Sequence, residues 1–365
     1  MTFDTDFPAD SVEFCPALGN EDILACGTYK ILQNDSQIST TTTDATEDEP
    51  GDIGSQKSSR RRIGKCILLR ATENDNVEVL QEIDLPAILD LKWSPYSNLL
   101  AIADSEGHVT LQKLTAEVLL QEIQKVQCRP DSILCLSLDW SNRRTPNYPG
   151  SIAVSCSDGS VSILDVDSTG SYSENLSWHA HDFEPWITAW NYWNSNVVYS
   201  GGDDLKLKAW DVRQSPTTPI SVNKRFDAGV TSIQSHPYSE NIIAVGSYDS
   251  RVRIIDVRKF GVPVTEADVG GGAWRVKWHP NSRRSTDLLV ACMHDGFKVL
   301  RFSESVVGVE ASSISIDSEW EIIKRFDEHQ SLAYGVDWSN SNSKDSDTLI
   351  ASCSFYDHVL HTWRG

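Results

Sequence analysis

The chain has 365 residues, enough for one large domain or two ordinary ones, and its 52 acidic against 32 basic residues give a net charge of −20. That balance excludes a surface built for nucleic acid or anionic membrane, which needs clustered Lys and Arg, and leaves room for cationic partners. Eight cysteines show no CxxC and no His/Cys metal spacing; with no signal peptide and no apolar run long enough to span a membrane, they read as reduced, buried thiols in a cytoplasmic protein.

In chain order, residues 1–9 read as a loose start. Asp10 to Pro16 (DSVEFCP) alternates as a strand does, and Ile23 to Ile31 is a second strand. Residues 34–62 are then rich in Ser, Thr, Asp and Glu, with few large apolar side chains to offset the entropy of ordering. We read 34–62 as a disordered insertion within a first structural unit, because strand pattern resumes at Ile63 to Arg70. From there one pattern recurs: a strand ending in Trp or His, a short apolar strand, and a tight turn carrying Asp or Gly. ILDLKWSP (88–95) leads to Ser105-Glu106-Gly107, LCLSLDWS (134–141) to Ser157-Asp158-Gly159, and 186–192 to Gly201-Gly202-Asp203-Asp204. VTSIQSHP (230–237) leads to Tyr248-Asp249-Ser250, AWRVKWHP (273–280) to His294-Asp295-Gly296, and LAYGVDWS (332–339) to Tyr356-Asp357-His358. The anchors Trp93, Trp140, Trp190, His236, Trp278 and Trp338 follow one another at 42 to 60 residues.

This unit resembles the WD repeat, most closely at YSGGDDLKLKAWDVR (199–213), where His181, Ser200, Asp204 and Trp210 fit a hydrogen-bonded set across one blade. Six repeats and a degenerate first one imply an all-β, seven-bladed WD-repeat β-propeller, one domain over residues 1–365. The last repeat ends at Trp363 with no outer strand left, so the N-terminal DSVEFCP strand is expected to supply it and close the ring. Asp158, Asp204, Asp249, Asp295 and Asp357 read first as turn residues, and His181 and His329 as blade linkers. Gly270-Gly271-Gly272 is either a plain loop or a place where backbone approaches a ligand. There is no GxSxG, HExxH, Walker or GxGxxG signature, and on repeat and composition alone an interaction scaffold is the favoured reading.

Several stretches go beyond the generic repeat: ADSVEFCP (9–16), LACGTY (24–29), GGAWRVKWHP (271–280), ACMHDGFKVL (291–300), EHQSLAYG (328–335) and CSFYDHVLHTW (353–363). In these the chain resembles the diphthine methyl ester hydrolases of diphthamide biosynthesis, along its whole length apart from 34–62 and the longer loops. The resemblance implies hydrolysis of the methyl ester of a methylated diphthine intermediate, carried on one histidine of elongation factor 2, so that amidation to diphthamide can follow. It implies no cofactor. The expected partners are elongation factor 2 and other proteins of that pathway, with no nucleic acid or membrane, and the chain is expected to be a monomer.

That substrate carries a quaternary ammonium, which suits a rim of aromatic rings interleaved with acids. Trp186, Tyr248, Asp249, Gly271, Gly272, Trp274, Tyr334, Phe355 and Tyr356 are therefore the expected substrate-binding residues. For the chemistry, the candidates are His294 or His329 as base, Arg275 with the Gly271–Gly272 amides for the oxyanion, and Ser331 as nucleophile, direct attack by water being equally open. The alternative reading is a non-catalytic scaffold or adaptor that binds protein partners through the same face.

Overall fold

The computed structural model describes residues 2–32, 61–146, 149–214, 216–308, 318–341 and 347–365. Their strands form seven antiparallel sheets arranged as the blades of a β-propeller. The inner strands of blades 1 to 7 are Ala9–Phe14, Ile88–Trp93, Cys135–Trp140, Ile187–Trp190, Val230–Ser235, Arg275–Trp278 and Ala333–Trp338. No helix among the described residues is long and apolar enough to cross a membrane.

The alternation seen in the sequence becomes packing between blades. One apolar cluster joins Ile23, Ala25, Cys66 and Leu68 of blade 1 to Ile88, Leu91, Trp93 and Leu100 of blade 2. Another joins Val12, Leu24 and Leu69 of blade 1 to Leu349, Ala351 and Leu360 of blade 7. Each blade is thus half of two cores, and the ring must close for either to be complete. All eight cysteines are buried and unpaired.

Closure differs in detail from the sequence expectation. The outer strand of blade 7 is Thr2–Asp4, paired antiparallel with Val359–Arg364. The DSVEFCP stretch is instead the inner strand of blade 1. The residues expected to be a loose start therefore hold the closing strand, anchored by Phe3 against the apolar cluster between blades 7 and 1. Three residues with one apolar side chain are too short to show a period, so the sequence pattern hides them. The third strand of blade 1 begins at Arg62, one residue earlier than expected. Residues 34–60 of the expected insertion lie outside the described residues.

The inner strands are also tied to one another by side chains. Glu13 accepts from the Trp93 amide at 2.6 Å, Asp90 from Leu138 at 3.0 Å, and Asp139 from Trp190 at 2.9 Å. Asp337 accepts from the Phe14 amide at 2.9 Å and so fastens the last blade to the first. The anchoring tryptophans bond backwards: Trp93 Nε1 donates to Glu13 O at 3.1 Å, Trp140 to Lys92 O at 2.9 Å and Trp338 to Lys277 O at 2.9 Å.

Candidate functional site

The inner strands all enter the channel from one face, and the turns after the second strands open onto it as well. Five inner strands carry a β-bulge at this end, between Ala9 and Ser11, Ile88 and Asp90, Cys135 and Ser137, Val230 and Ser232, and Ala333 and Gly335. A bulge leaves one residue outside the ladder and re-aims its side chain. The residues so released are Asp10, Leu89, Leu136, Thr231 and Tyr334, and all five line a cavity of about 390 Å³ at the mouth of the channel.

The aromatic wall of this cavity comes from two positions in the repeat. Trp186 and Trp274 immediately precede inner strands, while Tyr29, Tyr248 and Phe355 immediately follow second strands. With Tyr334 they form a continuous chain of rings. Trp186 lies 5.8 Å from Trp274 and 6.4 Å from Tyr248, centroid to centroid, and Tyr248 lies 5.7 Å from Trp274. Trp274 stacks on Tyr334 at 4.8 Å, Tyr334 lies 5.1 Å from Phe355, and Phe355 lies 6.0 Å from Tyr29.

Four ionisable side chains, Asp10, Arg62, Glu184 and Arg275, complete the wall. Arg62 Nε donates to the Tyr29 hydroxyl at 2.8 Å. Arg275 Nη2 lies 3.5 Å from Asp90 Oδ1, and Asp90 is also paired with Lys92 at 2.6 Å. Burial raises the Asp90 pKa, but Lys92 and Arg275 outweigh it and hold the carboxyl below its usual range. Asp10 is the contrast. It is 6 % exposed, and among the described residues burial and the charges of Arg275 and Asp90, with no hydrogen bond, act on its side chain. Burial lifts its pKa to about 8, opposed by Arg275 and reinforced by Asp90.

The structure divides the expected site residues. Trp186, Tyr248, Trp274, Tyr334, Phe355 and Arg275 meet around the cavity. His294, His329, Ser331 and Tyr356 meet instead in a neighbouring cleft between blades 6 and 7. Within it, both ring nitrogens of His329 are engaged, Nε2 with Ser352 at 2.9 Å and Nδ1 with Ser354, while Trp363 Nε1 donates to Ser352 at 3.1 Å. His329 is thus a blade linker with no nitrogen free to act as base, and burial pushes its pKa down to about 3. The same arrangement appears where the sequence placed it in blade 4: His181 bonds Asp204 and Ser200 at 2.7 Å each, and Trp210 donates to Ser200 at 2.8 Å. Ser331 accepts from the Tyr356 amide at 2.9 Å, and His294 is exposed.

Asp249, Gly271 and Gly272 do not reach the cavity. Asp249 holds its own turn and pairs with buried Arg253 at 2.8 Å. A Cβ on Gly271 would lie 2.1 Å from Cys292 O, and one on Gly272 would lie 2.7 Å from Met293 Sδ. These glycines let the loop pass under the 292–295 turn, so their smallness serves packing rather than a ligand. Asp10, Tyr29, Arg62 and Glu184 line the cavity without having been expected as site residues. For Asp10 a sequence signal existed, since ADSVEF aligns with AYGVDW and puts Asp10 in the column of Tyr334.

Comparison with known proteins extends this description. A model for the anaphase-promoting complex subunit 4 WD40 domain matches residues 91–196, and one for the WD domain, G-beta repeat, matches 219–256. A chain in the crystal structure of the mitotic checkpoint complex superposes with a TM-score of 0.69 at 15 % identity, covering 100 % of this chain and 91 % of that one. Diphthine methyltransferase of Mus musculus is 38 % identical over 92 % of this chain and 68 % of its own length. The Homo sapiens protein of the same name is 36 % identical, over 93 % and 74 %. The diphthine methyltransferase homolog of Dictyostelium discoideum is 34 % identical over 98 % of this chain and 96 % of its own. Relatives this similar along nearly the whole of this chain, and over two thirds or more of their own length, place the chain in the diphthine methyltransferase family.

Proposed function

We propose that this protein acts in diphthamide biosynthesis as a carboxylic ester hydrolase. In this reading it removes the methyl ester from the methylated diphthine side chain of elongation factor 2, in the cytoplasm. The observation that carries the reading is the chain of six rings around a cavity that also holds a buried carboxyl and a guanidinium. Ring faces attract a quaternary ammonium, by about 0.5–1 kcal/mol where exposed and about 2 kcal/mol where water is excluded. An open, loop-lined face accepts a side chain that protrudes from a folded protein. The guanidinium offers donors for a developing oxyanion.

Two other readings are kept because specific observations favour them. The relatives' name, diphthine methyltransferase, speaks of methyl transfer, which would add a methyl group rather than remove one. The repeat architecture favours a scaffold, which would bind without turnover. One measurement separates all three: mass spectrometry of elongation factor 2 carrying the methylated intermediate, with and without substoichiometric purified protein. Loss of one methylene's mass with release of methanol is the expected result. A gain of one methylene that depends on an added methyl donor would establish transfer. An unchanged mass with a stable complex would establish a scaffold. In the same assay, His294→Ala and Ser331→Ala are expected to keep turnover within about threefold, and a loss of about 100-fold in either would move the chemistry to the neighbouring cleft.

A further inference from the structure

Among the described residues, Asp10 takes up no structural task of the kind its neighbours perform. It does not link blades, hold a turn or pair with a base at contact distance, unlike Glu13, Asp90, Asp139 and Asp337 on the same inner strands. A bulge turns it out of the ladder and into the aromatic cavity. Its carboxyl stands in the cavity wall, where a ligand or a reacting water that enters the cavity can meet it. Its neighbours are few. The charged ones are Arg275 of blade 6 and Asp90 of blade 2, with Arg62 and Glu184 elsewhere in the wall. The titratable neutral ones are Tyr29, Tyr248 and Tyr334 around the cavity and the Cys26 thiol behind the strand, all held protonated chiefly by burial or, for Cys26, by Cys353.

We propose that Asp10 is the proton acceptor of the hydrolysis, and that the substrate's own quaternary ammonium, seated among the rings, ionises it. The proposal rests on the hydrolytic reading above. In the free protein the carboxyl is largely protonated near neutral pH, because burial outweighs Arg275. A fixed positive charge placed beside it favours the carboxylate, so binding drives a proton out and creates the base only when substrate is present. A water oxygen then bonds to the ester carbonyl carbon as its proton passes to Asp10, and the carbonyl electron pair moves onto the oxygen facing Arg275. When that pair returns, the bond from carbon to the methoxy oxygen breaks and the proton on Asp10 passes to the departing oxygen. Methanol and a carboxylic acid result, the acid ionising in water. Free solutes without the cation meet an uncharged Asp10, which restrains adventitious hydrolysis.

Two experiments test this. Methanol release from elongation factor 2 bearing the methylated intermediate is measured for the wild type, Asp10→Asn and Asp10→Glu between about pH 6 and 9. Asp10→Asn is expected to lower kcat by about 100-fold or more with KM changed less than about threefold, and Asp10→Glu to restore part of the rate. Calorimetric titration with tetramethylammonium in two buffers of different ionisation enthalpy is expected to show proton release by the wild type and none by Asp10→Asn. Wild-type turnover in Asp10→Asn overturns the role of Asp10 and leaves hydrolysis standing. A wild type that binds tetramethylammonium with proton release but yields no methanol overturns the hydrolytic reading, and the proton-acceptor role falls with it. Tetramethylammonium binding without proton release overturns the coupling alone.

Discussion

At the scale of single residues, the propeller separates two kinds of buried carboxyl. Asp90 is ionised because Lys92 and Arg275 lie against it, whereas Asp10 stays protonated because nothing compensates for burial sufficiently. Linkage turns this into a stability prediction. The unfolded Asp10 titrates near 3.8 and the folded one near 8, so the folded state binds the extra proton between these values. The stability that the protonated form preserves is complete below about pH 4 and is lost as pH rises towards 8, at up to about 1.4 kcal/mol per pH unit. Thermal melting of Asp10→Asn is expected to match the wild type near pH 4 and to exceed it increasingly up to about pH 8. Equal melting at both ends would mean that Asp10 is not held protonated. The site itself was partly legible in the sequence. Trp186, Tyr248, Trp274 and Tyr334 stand at repeat positions that open on one face, and aromatic side chains there exceed what a turn needs. Asp10 was not read, because assigning 10–16 to an outer strand removed it from the face altogether. His294 and Ser331 share the face but not the cavity, since a linear sequence gives angular position around the ring and not distance from its axis.

At the scale of elements, the repeat made six blades readable from tryptophan anchors and Asp turns, while blade 1 and the closing strand needed pairing information. Blade 1 also offers a clear test of what its long connection contributes. Lys30 pairs with Ile63 and Ile31 with Arg62, and Leu32 N donates to Arg61 O at 2.9 Å. The chain therefore leaves residue 32 and returns at 61 as adjacent antiparallel strands, a geometry that a two-residue Asn-Gly turn can bridge. Replacing residues 33–60 by Asn-Gly is expected to leave the melting temperature within about 2 °C of the wild type. A fall of 10 °C or more would show that the segment packs on the blade. The replacement also bears on function, because the hairpin carries Tyr29 and Arg62 into the cavity wall.

At the scale of the whole molecule, a net charge of −20 surrounds a cavity read as a cation site. Such a field accelerates encounter with a cationic partner and is screened by salt, with a Debye length of about 10 Å at 0.1 M. Raising the ionic strength from about 0.05 to 0.5 M is expected to increase KM severalfold and leave kcat nearly unchanged. A salt effect confined to kcat would place the electrostatics in the chemical step instead. The closing strand carries a different consequence, for biosynthesis. Thr2–Asp4 leaves the ribosome before every blade, yet its partner Val359–Arg364 emerges after all of them. Blade 7 cannot be finished until Val359–Arg364 has been translated, and Asp337 cannot fasten to Phe14 until blade 7 begins to emerge. A product terminated before Val359 leaves Thr2–Asp4 without its partner strand and the apolar cluster between blades 7 and 1 uncovered, an open arc with exposed strand edges rather than a smaller propeller.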